Sequence, residues 1–364
     1  MEQGKMTTLC YIESRRDGKM AAQEENAETR RNPVDCYLML HRIKKENDMN
    51  RDKWLGVGGH FEEGESPEEC LLREVKEETG LTLTSWRFRG IITFVSDCWG
   101  TEYMCLYTAD GYEGVMSDCD EGKLEWVEKW RIWDLNLWEG DRIFFALLED
   151  DEPFFSLKLE YEGERLKAAF KNGEPIELLD ERDSRGEVTG RVGARFLMHR
   201  FGTLHGTAHV WLVRPNEKSG FDILLQKRSA DKDAFPGCYD ISSAGHIPSG
   251  CDYLESAVRE LEEELGIKAL PEDLTYIGLH EETDIATFYG KPFRNHEISR
   301  VFVYTKPVEI GELKLQKEEV ESVMWIDYEE CLRKMEEGTL INCINRDELS
   351  MLEKWWKIGG RNFH

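Results

Sequence analysis

Glu74, Glu77 and Glu78 stand at i, i+3 and i+4, and Glu260, Glu263 and Glu264 repeat that spacing in the second half of the chain. On a helix this puts three carboxylates on one face. Like charges so placed repel by roughly a few tenths of a kcal/mol per pair on an exposed helix. A bridging cation reverses that sign. Carboxylate oxygens with retained waters suit Mg²⁺ or Mn²⁺, which also bind phosphate oxygens of a substrate. A run of glutamates is commonly just a solvated face, so the flanking residues decide between the two readings.

Gly59 to Leu81 reads GHFEEGESPEECLLREVKEETGL, and Gly245 to Ile267 reads GHIPSGCDYLESAVRELEEELGI. Both are glycine, five residues, a seventh position, seven more, then Arg-Glu-apolar-any-Glu-Glu-any-Gly-apolar. The second copy departs once, with Cys251 where the first has Glu65. At average residue usage a full match arises by chance at about 10⁻⁹ per start position. Ser66-Pro67-Glu68-Glu69 has the form of a capping box with proline at the first helical position, and Gly80 supplies the stop. Leu71 and Val75 form a core-facing stripe between them. In the second copy Asp252 and Glu255 form the expected cap pair, Leu254, Val258, Leu261 and Leu265 the stripe, and Gly266 the stop. Glutamates inside such a frame read as a metal site.

The chain has 364 residues, which divide most naturally into two domains. An apolar fraction of 40% with 11% aromatics is ordinary for folded protein. A net charge of −26 argues against binding a nucleic-acid polymer or an anionic membrane. Small phosphorylated substrates remain compatible, because divalent ions neutralise both partners locally. No apolar run approaches a membrane span, and the start MEQGKMTTLC lacks a secretory apolar core. Ten cysteines without C-x-x-C pairs suggest neither a zinc site nor a disulfide framework. They read as reduced thiols of a cytoplasmic protein. Nothing in the pattern addresses oligomeric state.

Strand-like runs in the first half are TTLCYIE, CYLMLH, GIITFVSD and EYMCLYTA, with a polar excursion from Arg15 to Pro33. A helix is expected near Trp138 to Leu148, and a hairpin turning at Glu162-Gly163. The polar break Lys171-Asn172-Gly173 sets the expected domains at 1–172 and 173–364. The second half offers a short hairpin in EPIELLDERDSRGEVTGR, then HVWLVRP, FDILLQKR, the second motif, EISRVFVYTKP and SVMWIDYEE. A terminal helix from Arg346 carries Trp355-Trp356, read as packing. Alternating strands and helices predict an α/β or α+β sandwich in each half.

The repeated pattern resembles the Nudix box of hydrolases that cleave nucleoside diphosphates linked to another group. The resemblance implies two tandem α/β/α sandwiches around mixed sheets. Over roughly residues 6 to 170 the chain resembles the 8-oxo-dGTP diphosphatases. That resemblance is carried by KWLGVGGHFEEGE, Glu102, and Trp138-Glu139-Gly140-Asp141 before PFFSLKLEYEGE. It implies that Glu74, Glu77 and Glu78 hold Mg²⁺ or Mn²⁺ with help from the Gly58 carbonyl. Glu102 would complete the shell or serve as base, Trp138 would stack on the purine, and Asp141 would bond its edge. An aromatic face binds any base, and a nearby carboxylate selects N–H donors. Trp138 has core packing as its alternative, given Trp130, Trp133, Phe144 and Phe145. Leu55 stands where the vertebrate branch has a purine-contacting asparagine, and Gly140 where it has a second acid. The mechanism implied is attack of water on a phosphorus, with its proton passing to Glu78 or Glu102. Glu74 and, in the second unit, Glu264 join these as catalytic carboxylates. Arg73 is expected to anchor the loop by pairing with Glu65. His60 would contact phosphate or be a satisfied loop histidine, as would His246.

From about Glu174 to Asn345 the chain resembles Nudix proteins of the isopentenyl-diphosphate-isomerase-like group, on LLQKRSADKDAFPGCYDISSAGH, the box and NHEISRVF. Isomerases of that group carry a catalytic cysteine just before the box glycine, where this chain has Ala244. Without a thiol the proton transfer loses its donor, and the isomerase reaction is rejected. Glu260, Glu263 and Glu264 remain as metal ligands, with Glu297 as a further carboxylate. Lys227 and Arg228 would meet substrate phosphates or form an exposed basic pair. Arg259, lacking an acid at Cys251, is expected to hold a looser loop. The first unit is thus expected to cleave 8-oxo-dGTP or a related oxidised purine nucleotide to monophosphate and pyrophosphate. The second would act on an unassigned diphosphate. The alternatives are other nucleoside-diphosphate-linked substrates, or a second unit that senses a nucleotide without cleaving it.

Overall fold

The computed structural model describes residues 4–16, 34–44, 48–216, 220–232, 234–288 and 291–359. Most of the polar excursion between Arg15 and Pro33 lies outside these residues. The chain divides into two compact units, Met1–Ile176 and Glu177–His364.

The first unit begins with β1 (Lys5–Arg16), β2 (Val34–His41), β3 (Trp54–Leu55) and α1 (Pro67–Thr79). β4 (Thr82–Ser96), β5 (Gly100–Glu113), β6 (Lys123–Glu128) and α2 (Glu139–Glu149) follow. β7 (Phe155–Glu162), β8 (Arg165–Lys171) and β9 (Glu174–Pro175) complete it. The sheet runs β3-β2-β1-β5-β4-β7-β8-β9, with β6 beside β2. It is mixed, because β1/β5 and β4/β7 are parallel while the other pairs are antiparallel. Leu71 and Val75 of α1 pack with Cys10, Ile12, Leu38, Cys105 and Tyr107 on one face. Phe144 and Phe145 of α2 meet Tyr11, with Tyr37 against Phe145, on the other. Each buried side chain of this size contributes roughly 1.5–3 kcal/mol. Lys171-Asn172-Gly173 is a tight turn joining β8 to β9, with Asn172 and Gly173 both at positive φ.

The second unit opens with the hairpin β10 (Leu178–Arg182) and β11 (Val188–Ala194), then α3 (Arg195–Phe201). It continues with β12 (His205–Asn216), β13 (Gly220–Arg228), β14 (Tyr239–Asp240), β15 (Ser243–His246) and α4 (Tyr253–Leu265). Last come β16 (Leu274–Phe288), β17 (Lys291–Tyr304), β18 (Val320–Asp327), α5 (Tyr328–Glu336) and α6 (Arg346–Ile358). β12 alternates strictly. Ala208, Val210 and Leu212 face Ala257, Leu261 and Leu265 of α4, while Trp211 and Val213 face Leu349, Leu352 and Trp356 of α6. Helices thus cover both faces of a mixed sheet in each unit, the α/β/α layering expected for both halves.

Among the described residues no helix is long and apolar enough to cross a membrane. All ten cysteines are free.

Candidate functional site

Local chemistry fixes α1. Ser66 accepts from Glu69 N, Glu69 returns the bond to Ser66 N, Pro67 opens the helix and Gly80 closes it at φ 74°. Such caps contribute about 1 kcal/mol each, and they set which face the glutamates occupy. Opposite that face runs the strip Val57–Gly59, tied to β1 by Thr8 N to Gly59 O at 2.9 Å and Cys10 N to Val57 O at 2.7 Å. Gly58 has φ 155°, and a Cβ there would sit 2.1 Å from Thr8 O. A Cβ on Gly59 would meet the Glu74 carboxyl carbon at 2.5 Å. Gly58 is therefore required by the approach of backbone, whereas a side chain at Gly59 would displace the Glu74 carboxyl. Glu78 Oε2 accepts from Gly58 N at 2.9 Å. Glu102, on β5, accepts from Thr7 Oγ1 at 2.8 Å, and Thr7 forms a β-bridge with His60. Glu78 is thereby anchored to the glycine strip and Glu102 to β1, while Glu74 lies against Gly59. Glu77 points outward, its side chain 61% exposed.

Arg73 grips Glu65 with two bonds of 2.6 and 2.9 Å, reaches Glu74 at 2.7 Å, and donates to His60 O at 3.0 Å. The guanidinium holds the Glu65 carboxyl down at about 2. His60 itself is exposed.

Trp138 caps α2 and is buried, edge-on to Phe94, Trp99 and Tyr161, with Lys53 Nζ 4.8 Å over its ring. Its Nε1 donates to Asn50 Oδ1 at 2.8 Å. Asp141 is buried, and its Oδ2 has no hydrogen-bond partner. Burial pushes its pKa up to about 7, against the opposing pull of Lys53 and Arg142. Gly140 explains the missing second acid. A Cβ there would lie 2.5 Å from Leu159 Cδ1 and 2.7 Å from the Tyr161 hydroxyl. Leu55 pairs with Leu40 in the short strand β3.

The second motif repeats the geometry with differences. Asp252 caps α4 by accepting from Leu254 N, and Gly266 closes it at φ 73°. Glu264 accepts from Ala244 N at 3.2 Å, and a Cβ on Gly245 would meet the Glu260 carboxyl carbon at 2.1 Å. Burial raises both Glu260 and Glu264 to about 7. Glu263 is half-exposed. Arg259 has Glu260 at 2.7 Å, Glu263 at 3.0 Å and His246 O at 3.3 Å. With Cys251 in place of an acid, its side chain is 38% exposed against 22% for Arg73. Lys227 is paired with Glu321 at 2.7 Å and Arg228 with Asp240 at 2.8 Å.

Glu297 occupies the register position of Glu102. It lies opposite His205 as Glu102 lies opposite Lys5, each across a parallel pair. Around it the structure assembles a group that the motif does not contain. Ring nitrogens of His199, His205 and His246 lie within 4.8 Å of one another. Glu297 Oε1 faces His205 Nε2 at 3.7 Å and His246 Nε2 at 3.6 Å, too long for hydrogen bonds. His205 Nδ1 lies 2.8 Å from Thr203 O, a contact that puts the proton on Nδ1 and leaves Nε2 free to ligate. Burial, reinforced by the neighbouring imidazoles, lowers His199 to about 3 and lowers His246. Burial disfavours the Glu297 carboxylate, but His205 and His246 outweigh it and hold the group well below the usual range. Three imidazoles and one carboxylate form a donor set for a transition metal such as Zn²⁺ or Mn²⁺. The signal in the sequence was density, since His199, His205 and His209 fall within eleven positions of a chain holding nine histidines.

The sequence matches the NUDIX domain over residues 26–148 and again over 203–345. Nudix hydrolase 3 of Arabidopsis thaliana is 45% identical over 150 residues, which are 40% of this chain and 18% of that protein's length. An uncharacterised Nudix hydrolase of Clostridium acetobutylicum is 36% identical over 174 residues, 46% of this chain and 81% of the relative. The oxidized purine nucleoside triphosphate hydrolase of Danio rerio is 32% identical over 112 residues, 30% of this chain and 71% of the relative. Matched in both halves, and carrying the glycine strip and the three-glutamate helix twice, the chain belongs to the Nudix family.

Proposed function

We propose that the first unit is a Mg²⁺-dependent pyrophosphohydrolase acting on an oxidised purine nucleoside triphosphate, releasing the monophosphate and pyrophosphate. The observation that carries the hydrolytic reading is that Glu74 and Glu78 of α1 lie against Gly59 and Gly58, with Glu102 held by Thr7 on the strand to which that strip is tied. These carboxylates would hold the metal with the Gly58 carbonyl, and Glu77 would join them from the solvent side. A bound divalent ion supplies phosphoryl polarisation and a more acidic water. Arg73, fixed by Glu65, keeps the strip and the helix in one geometry. The proton of the attacking water passes to Glu78 or Glu102, each of which has one oxygen engaged by the scaffold. E78Q and E102Q separate those two roles.

The purine reading rests on Asp141, a buried carboxyl with an unbonded oxygen beside Trp138. At a pKa near 7 it offers an acceptor when ionised and a donor when protonated. A base stacking on Trp138 displaces Lys53 from its face. The relationship to the Danio rerio hydrolase supports this assignment. Product analysis tests it. Pyrophosphate released from 8-oxo-dGTP, with a kcat/KM above that for dGTP, supports the reading, and phosphate release or preference for a dinucleoside polyphosphate defeats it.

The second unit, in our reading, binds a different diphosphate with Glu260, Glu263 and Glu264. A separate cation would sit at His199, His205, His246 and Glu297. The exposure of Arg259 beside Cys251 favours a second possibility, binding without turnover. E263Q/E264Q in the full chain decides. Unchanged turnover across a nucleotide and diphosphate panel supports a sensing role, and loss of one activity with retention of pyrophosphate release by the first unit supports a second enzyme.

A further inference from the structure

Two side chains of one turn hold Trp138. Between β2 and β3 the backbone is tied down by its own bonds. Arg51 N donates to Asp48 O at 3.0 Å, Asp52 N to Arg42 O at 2.7 Å, and Lys53 N to Asn50 O at 2.9 Å. Asn50 N donates to Asp48 Oδ1 at 3.0 Å. From this turn Asn50 Oδ1 accepts from Trp138 Nε1 at 2.8 Å, which fixes the indole at its edge. Lys53 Nζ lies 4.8 Å over the ring. Phe94, Trp99 and Tyr161 meet the indole at 67°, 75° and 77°, so none of them stacks on it. What lies against the face is an ammonium.

That ammonium has a way out. Lys53 Nζ donates to Asn136 Oδ1 at 3.3 Å, and Glu164 Oε2, on the turn between β7 and β8, is 4.0 Å away. Asn136 is exposed and the Glu164 side chain is 74% exposed, against 15% for Lys53 and 4% for Trp138. The lysine thus lies between the indole and two groups in water. Rotation about its flexible four-carbon stem uncovers the ring on that side with the backbone of the turn unmoved. It also carries the charge toward a carboxylate already within reach. A cation and a base are both attracted to an aromatic face and cannot occupy it together. Where the seat on the ring is favoured about tenfold over the open position, the apparent affinity for a base falls about tenfold. A lysine that merely packs on the indole behaves in the opposite way, because its removal loosens the site and weakens binding.

We propose that Lys53 is a latch on the base site of the first unit, seated on Trp138 while the site is empty and moved toward Glu164 by the base of an incoming nucleotide. This rests on the reading that Trp138 stacks on a purine. A nucleotide must then displace a lysine that a phosphate chain without a base leaves in place. Affinity, not turnover, carries the difference.

The test uses the full chain with the second site silenced by E263Q/E264Q. KM and kcat are measured with 8-oxo-dGTP, and imidodiphosphate, which has no base, serves as a competitive inhibitor. K53A should lower KM about tenfold, with kcat and the inhibition constant unchanged. K53R, which keeps a cation on the ring, should match the parent. E164Q should raise KM by up to about threefold, the scale of an exposed ion pair. The chain has 11 tryptophans, so 5-fluorotryptophan labelling identifies Trp138 as the ¹⁹F resonance that W138F lacks. That resonance should shift between H₂O and D₂O far more in K53A than in the parent. A KM unchanged or raised in K53A, an equal gain in K53R, a lower KM in E164Q, an inhibition constant that falls with KM, or a Trp138 resonance blind to K53A overturns the latch. A parent that does not turn over 8-oxo-dGTP, or a W138F variant with unchanged KM, removes the base reading and the latch with it. A loss in W138F without a gain in K53A overturns the latch alone.

Discussion

Replacing Asp141 by asparagine should stabilise the first unit at alkaline pH while it impairs purine selection. Asp141 is buried, and its carboxyl is raised from 3.8 to about 7 by desolvation. A carboxyl raised on folding binds a proton more tightly in the folded chain than in the unfolded one. Its contribution is therefore full below the unfolded pKa and is lost as pH climbs through the folded one. Between pH 5 and pH 8 that loss is roughly two units at 1.36 kcal/mol each plus the tail around pH 7, or about 3 kcal/mol. D141N removes this slope. It strands no cation, because Arg142 donates to Trp133 O and Leu135 O, and Lys53 to Asn136 Oδ1. Urea melts of parent and variant at both pH values provide the assay, with the transition of the second unit as internal control. The parent should lose about 3 kcal/mol relative to D141N in the first-unit transition on going from pH 5 to pH 8. A gap that does not change with pH would refute the buried, proton-holding carboxyl. The same variant should lower kcat/KM for an oxidised purine triphosphate more than it alters KM for Mg²⁺.

Three shorter tests address the remaining features. G59A places a Cβ 2.5 Å from the Glu74 carboxyl; it should cut first-site turnover about a hundredfold through misplacement of that group, with circular dichroism unchanged. C251E gives Arg259 the acid that Arg73 already has, and should lower the Mg²⁺ requirement of the second site by up to about fivefold, the scale of a partly exposed ion pair. A rise in that requirement would contradict the loop-anchoring role. Co²⁺ added to chelator-treated protein should give a visible absorption band that H205A and H246A abolish and H60A retains, because His60 is exposed and outside the cluster.

How far the sequence could be read depends on the range of the interactions that fix each feature. The two box helices were legible because their determinants are local. Ser66, Pro67, Glu69 and Gly80 set the ends of α1 within a few residues of the glutamates, and Asp252 and Gly266 do the same for α4. The turn at Lys171-Asn172-Gly173 shows where local signals run out. A polar, glycine-bearing tripeptide serves equally as a linker or as the tight turn it forms between β8 and β9, and only the pairing of Phe170 with Pro175 distinguishes them. The short strands β3, β9 and β14 and the helix α3 carry too little periodicity to announce themselves. The histidine cluster showed in the sequence only as a local density of histidines, for a stronger reason. Its members come from α3, β12, β15 and β17, brought together by the parallel register of β12 with β17 and the antiparallel register of β12 with β15. No spacing rule spans such distances. The two boxes are near copies, yet the units around them differ. The box acids and glycines repeat because their packing is local, while the groups around them lie on long-range partners. The proposed base reader of the first unit, Asp141, has its place there, and the second unit instead gathers His199, His205 and His246 around Glu297; the substrates of the two sites should therefore differ although their box helices scarcely do.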